Sequence, residues 1–215
     1  MTFGLLLLHI LFGGLALLSV FICFASKKGG KTHRRFGKLF CLSMAIALMA
    51  ALVLSIIREN YFLLLVGIFS AYLVYTGWRV GASRERAFTR LDWTAMMLML
   101  VSSAVMVAIG ATGLVSGKDD MSLVILVFGA IGGALSLSDY RRPQEQGVRL
   151  WPKGVDRIAL HIIRISAASI STITAVMVVN VNTDPAFIAW LLPTVVIVPV
   201  IFYWTRRIGS GNGVL

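Results

Sequence analysis

Side chains that could do chemistry are scarce in this chain. It has three histidines and nine acidic residues against twenty lysines and arginines, in 215 residues. The densest group is Arg157, His161 and Arg164, spaced i, i+4 and i+7, which stacks them along one face of a helix. Arginine offers a planar fork to carboxylate or phosphate, and neutral imidazole both donates and accepts. Together they would suit an anionic head group. Ser166, Ser169, Ser171, Thr172 and Thr174 make the same segment rich in hydroxyls. His161 and Arg164 fall inside an apolar stretch, where an ionisable residue points to function by default. The plainer alternative is that Arg164 snorkels to lipid phosphate while His161 bonds a neighbouring helix.

The other two imidazoles are His9, in the first apolar run, and His33, in the basic stretch Thr32-His33-Arg34-Arg35. Histidines in membrane helices suggest haem. His9 and His161 fall near opposite membrane faces, at least ~15 Å apart by helical rise, so they cannot share one iron. His33 and His161 could meet at one face. No Ser-His-Asp, Cys-x-x-Cys, phosphate-loop or dinucleotide pattern occurs in a usable context, so no catalytic residue and no metal site is assigned. Asp92, Asp120, Asp156 and Asp184 precede apolar runs and read as helix N-caps, with Pro185 at the first helical position. Cys23 and Cys41 are expected to remain free thiols.

The elements that carry these residues are written in the composition. The chain is 58% hydrophobic and 13% charged, with a mean hydropathy of +0.88. An average soluble domain carries roughly 25% charged residues. A water-soluble globule and a disordered chain are both excluded. Seven apolar runs are long enough to cross a membrane: 3–25, 39–57, 61–80, 93–114, 121–137, 158–180 and 186–205. The first lacks a positive leader and has its basic cluster behind it, so it reads as a span and not a cleavable signal. The fold class expected is a single all-α domain, a bundle of seven transmembrane helices.

Charge fixes the expected orientation. The net charge is +11. Lysines and arginines crowd the first, third and fifth connections and the tail after the seventh run. The even connections are nearly neutral. The positive-inside rule then puts the N-terminus outside and the C-terminus in the cytosol. The partner implied is an anionic inner leaflet, and not nucleic acid. The stretch 139–156 is the one connection long enough for a small extramembrane element. No convincing internal repeat is visible, which weighs against an inverted-repeat transporter.

Spacing also suggests how the helices meet. Gly77-x-x-x-Gly81 and Gly129-x-x-x-Gly133 allow close helix packing or a face for a second copy, and Gly13-Gly14 is a further small patch. Pro193 and Pro199 interrupt the seventh run and predict a kink. Trp78, Trp93, Trp151, Trp204 and Tyr61 fall near run ends and read as interfacial anchors. Trp190, Tyr72 and Tyr75 lie deeper.

Several segments together carry a resemblance. They are His9-x-x-x-Gly13, the run 28–38 (Lys-Gly-Gly-Lys-Thr-His-Arg-Arg-Phe-Gly-Lys), Tyr72-x-x-x-Thr76-Gly77-Trp78-Arg79, His161-x-x-Arg164, Thr174-Ala175-x-x-x-Val179-Asn180 and Trp190-Leu191-Leu192-Pro193-Thr194. Over nearly its full length the chain resembles a family of predicted bacterial inner-membrane proteins classed as a domain of unknown function. The resemblance implies a multi-pass protein of the bacterial cytoplasmic membrane. It supplies no activity, and it points to His9, His33, His161 and Arg164 as residues to test first.

The leading functional expectation is non-enzymatic. An intramembrane polar pocket on the first, second and sixth helices would bind or transport a small amphipathic or anionic ligand. His161 and Arg164 would meet its head group. The first alternative is a membrane redox protein with haem or quinone held by His33, His161 or His9. The second is an accessory subunit whose glycine-rich faces pack on a partner.

Overall fold

A computed structural model describes residues 2–83, 85–117 and 121–209. It contains seven α-helices, each long and apolar enough to cross a membrane. They are α1 (Thr2–Ala25), α2 (Lys31–Ile57), α3 (Tyr61–Ala82), α4 (Arg90–Val115), α5 (Met121–Tyr140), α6 (Gly154–Asn180) and α7 (Phe187–Gly209). Short connections force sequence neighbours to pack antiparallel. The helices form three hairpins, α1 with α2, α4 with α5 and α6 with α7, and α3 touches α2, α4, α5 and α6. Half of the most apolar stretch of α3 is buried, against 11% of that of α7. Helix α3 is therefore the centre of the bundle, and α7 lies at its periphery.

Local chemistry explains the boundaries. Gly29 adopts the left-handed φ of +71°, and Gly30 is the N-cap of α2. The basic stretch after them is helical and not a loop, which corrects the expected start at residue 39 and moves His33 onto the first turn of α2. Lys31, Arg34, Arg35 and Lys38 thereby line one exposed face. Lys28 donates to the carbonyls of Cys23 and Phe24 at 3.0 and 2.7 Å, closing the C-terminus of α1. Partial burial there lowers its ammonium below the usual lysine range.

The acidic residues behave differently from simple caps. The cap of α4 is Thr89, in a reciprocal box with Asp92 three residues on. Asp156 lies in the first turn of α6, whose N-cap is Lys153. Pro185 follows a cis peptide bond and precedes α7, which opens at Phe187 with the Thr183 hydroxyl accepting from the Ala189 N–H at 3.2 Å. Asp184 therefore does not cap it. Asp120 lies outside the described residues.

One extramembrane element stands on the bundle. Strands β1 (Gln144–Glu145) and β2 (Val148–Arg149) pair antiparallel between α5 and α6. Their two-residue turn has both φ values positive, +51° at Gln146 and +77° at Gly147, the geometry that suits a tight hairpin. The chain after β2 docks on the α3–α4 connection. An antiparallel bridge joins Ala87 and Leu150, and the Trp151 N–H donates to the Arg86 carbonyl at 2.8 Å. These two connections share one end of the bundle, the basic end.

Candidate functional site

The row on α6 meets α3, and glycine makes the meeting possible. A Cβ at Gly77 would collide with Ile165, and one at Gly81 with the His161 imidazole. With both absent, His161 Nδ1 donates to the Gly77 carbonyl at 2.9 Å. One turn nearer the end, Arg157 donates to the carbonyls of Val80 (2.7 Å), Gly81 (3.2 Å) and Ser83 (2.8 Å), the exposed acceptors of the α3 C-terminus. The row expected along one face is thus a seam between α6 and α3.

Arg164 goes deeper and is fully enclosed, with 0% exposure. Its Nη2 lies 3.0 Å from Asp139 Oδ2 and donates to the Leu135 carbonyl at 3.1 Å. The Tyr72 hydroxyl donates to the same carboxylate oxygen at 2.5 Å, and the Tyr72 ring lies 5.1 Å from the guanidinium carbon. Arg142 donates to Oδ1 through Nε (2.9 Å) and Nη2 (2.8 Å). One carboxylate, itself 1% exposed, therefore serves two arginines and a tyrosine. The cluster ties α3, α5 and α6 together. Arg164 does not snorkel. Its Nε and Nη1 stay enclosed without an acceptor among the described residues.

A second buried pair lies beside it. Arg79 Nε contacts Asp92 Oδ2 at 3.2 Å, and the Tyr75 hydroxyl donates to Oδ1 at 2.8 Å. Arg79 also donates to the carbonyls of Glu85 and Ala87, at 2.7 and 2.8 Å, and so shapes the α3–α4 connection. Asp92 is both a member of the capping box and the buried counter-charge of Arg79.

Of the other singled-out residues, His33 lies within electrostatic range of His161, as its position at the same end allows, and His9 stands apart. His9 Nδ1 donates to the Ala47 carbonyl at 3.0 Å, joining α1 to α2. His33 Nδ1 approaches the Cys23 carbonyl at 3.4 Å. No three His, Cys, Asp or Glu residues gather as a metal site among the described residues. Gly129 sits against Met106 and Val107 of α4, and Gly133 makes ordinary contact with Ser103. Gly13 and Gly14 face open space. Pro193 is buried, Pro199 is exposed, and α7 remains helical through both. Trp151 is no lipid anchor. It is 3% exposed and stacks on Phe88 with ring centres 4.5 Å apart. Trp93 is half-buried beside Phe88, whereas Tyr61, Trp78 and Trp204 are exposed.

A cavity of about 480 Å³ opens beside this cluster at the basic end. Leu160 and Ile163 of α6 give it an apolar wall, and Trp151 closes its inner side. Arg86, Arg142 and Lys153 bring cations from three separate segments. Glu145 and Asp156 also line it, so three cations against two carboxylates leave one net positive charge. The Trp151 indole N–H is enclosed and has no acceptor among the described residues. None of His9, His33, His161, Arg164, Pro193 or Pro199 lines this space. Sequence reasoning does not single out Asp139, Arg142 or Trp151 as site residues. The one signal it offers is an acid and a base three residues apart at the end of the fifth run.

Set against family models, characterised proteins and solved structures, the chain matches none.

Proposed function

We propose that the protein binds or carries an amphiphile with an anionic group, held in the cavity at the basic end. The carrying observation is the composition of that cavity. An apolar helix wall, the Trp151 ring and three cations against two carboxylates line one space large enough for a small ligand. An acyl chain would lie along Leu160 and Ile163. The anionic group would accept from Lys153 and Arg86, while Arg142 is already shared with Asp139.

This reading moves the ligand away from Arg164. A charge closed by Asp139 has little left to offer a ligand, and His161 has committed Nδ1 to α3. Their role in this reading is to hold α6 in place, so that the cavity keeps its shape. Orientation follows from charge. The basic end faces the cytosol of a bacterial inner membrane, where anionic lipid is at hand, with the N-terminus outside.

Binding of lauric acid to the purified protein in mild detergent tests the proposal, with methyl laurate as the uncharged control. Lauric acid is expected to bind and the ester to bind weakly. Ala159→Phe, which fills the cavity, is expected to lower affinity about tenfold or more. Lys153→Gln should reduce the preference for the acid. Equal binding of acid and ester, unaffected by Ala159→Phe, would overturn the reading.

A further inference from the structure

The other two buried arginines of the described residues, Arg79 and Arg164, each have a carboxylate. Arg79 has Asp92, and Arg164 has Asp139. Arg149 of β2 has none among the described residues, although it is only 7% exposed. Its guanidinium carbon stands 5.0 Å from the Trp93 ring centre and 4.7 Å from that of Tyr140. Nε and Nη1 are enclosed without an acceptor. Nη2 is not enclosed, so the Nη1–Nη2 edge opens at one corner.

Magnitudes say that the rings do not suffice. A cation–π contact, even desolvated, returns only part of what burying an ion costs. A second balance comes from position. Trp93 opens α4 and Tyr140 ends α5, which puts the cage at the level where a bilayer carries its phosphates. The open Nη2 can donate to a phosphate oxygen, and the guanidinium held between the rings supplies the charge to meet it.

We infer that Arg149, caged by Trp93 and Tyr140, is a second anion site that takes a phosphate group. No member of the cage lines the cavity described above. The site therefore stands or falls apart from the proposed function. The phosphate can come from a phospholipid head group or from free phosphate.

The test uses lipid-depleted protein and intact-mass spectrometry. Dioleoyl-phosphatidylglycerol, dioleoylglycerol and inorganic phosphate are titrated separately into wild type and Arg149→Lys, which keeps the charge and loses the fork. Phosphatidylglycerol is expected to bind wild type saturably and Arg149→Lys about tenfold more weakly. Dioleoylglycerol, which has no phosphate, is expected not to bind. Binding of inorganic phosphate that depends on Arg149 also supports the site and identifies the free ion as the source. Equal binding of each probe by both proteins overturns it. Should Arg149→Lys not fold, a photo-cross-linking side chain at the neighbouring exposed Val148 leaves Arg149 intact. Capture of phosphatidylglycerol, and not of dioleoylglycerol, then supports the site, and capture of neither or of both equally overturns it. The Arg149-dependent part of the binding should be the same in an Ala159→Phe background, whatever the cavity itself takes up.

Discussion

Replacing Asp139 with asparagine isolates the charge that holds α3, α5 and α6 together. The wild-type carboxylate receives Arg164 and Tyr72 on Oδ2 and Arg142 twice on Oδ1. The amide keeps the shape and removes the charge. Arg142 can turn toward water, because its side chain is 16% exposed. Arg164 cannot, because its side chain is 0% exposed. It would be left with the Leu135 carbonyl alone. Breaking a buried pair from one side costs about 3–5 kcal/mol. At roughly 2–4 °C per kcal/mol for a chain of this size, the melting temperature should fall by roughly 10 °C. Arg164→Leu should cost less, since Asp139 keeps Arg142 and Tyr72. The double variant Asp139→Asn, Arg164→Leu should therefore be more stable than Asp139→Asn alone, because the stranded charge is gone. The assay is thermal unfolding in mild detergent, followed by tryptophan emission. An Asp139→Asn protein melting within roughly 2 °C of wild type, or a double variant showing the plain sum of two losses, would refute the shared-carboxylate argument.

The remaining predictions concern packing, topology and cofactor. Gly81→Ala forces a methyl group into the His161 ring and should destabilise by about 1–3 kcal/mol, whereas Gly13→Ala meets open space and should be nearly neutral in the same melt. A reporter fused after Arg207 should be active in the cytosol, and one inserted at Glu59, in the α2–α3 connection, should be active outside; the reverse pattern would invert the orientation. The absorbance spectrum of the purified protein should lack a Soret band, because the cavity proposed to hold the ligand is lined by no histidine. A Soret band would promote haem binding over the binding of an acidic amphiphile.

The helices were legible because apolar length and loop charge are local properties. Seven runs announce seven helices, and the end of α1 and the start of α3 fall where hydropathy puts them. Helix starts were harder where the helix runs on through basic residues. Lys31 to Lys38 are helical because Gly29 and Gly30 supply the turn and the cap, and hydropathy does not register that. The seam between α3 and α6 was half legible. The Gly77 and Gly81 spacing and the Arg157, His161 and Arg164 spacing are both visible, but nothing in either segment says that they face each other. The partner of Arg164 was the least legible part. Asp139 lies two residues past the expected end of the fifth run and reads as a loop charge until the helix extends to Tyr140. The cavity joins residues from the α3–α4 connection, the end of α5 and the start of α6, so only the docked hairpin brings its cations together.

The most direct test of the central claim is the identity of what travels with the protein. Wild type and Ala159→Phe are purified in parallel from the same membranes in mild detergent, and their bound small molecules are extracted and analysed by mass spectrometry. The account predicts an acidic amphiphile in near-equal molar amount with wild type and its loss from Ala159→Phe. The same complement of bound molecules in both proteins would contradict it.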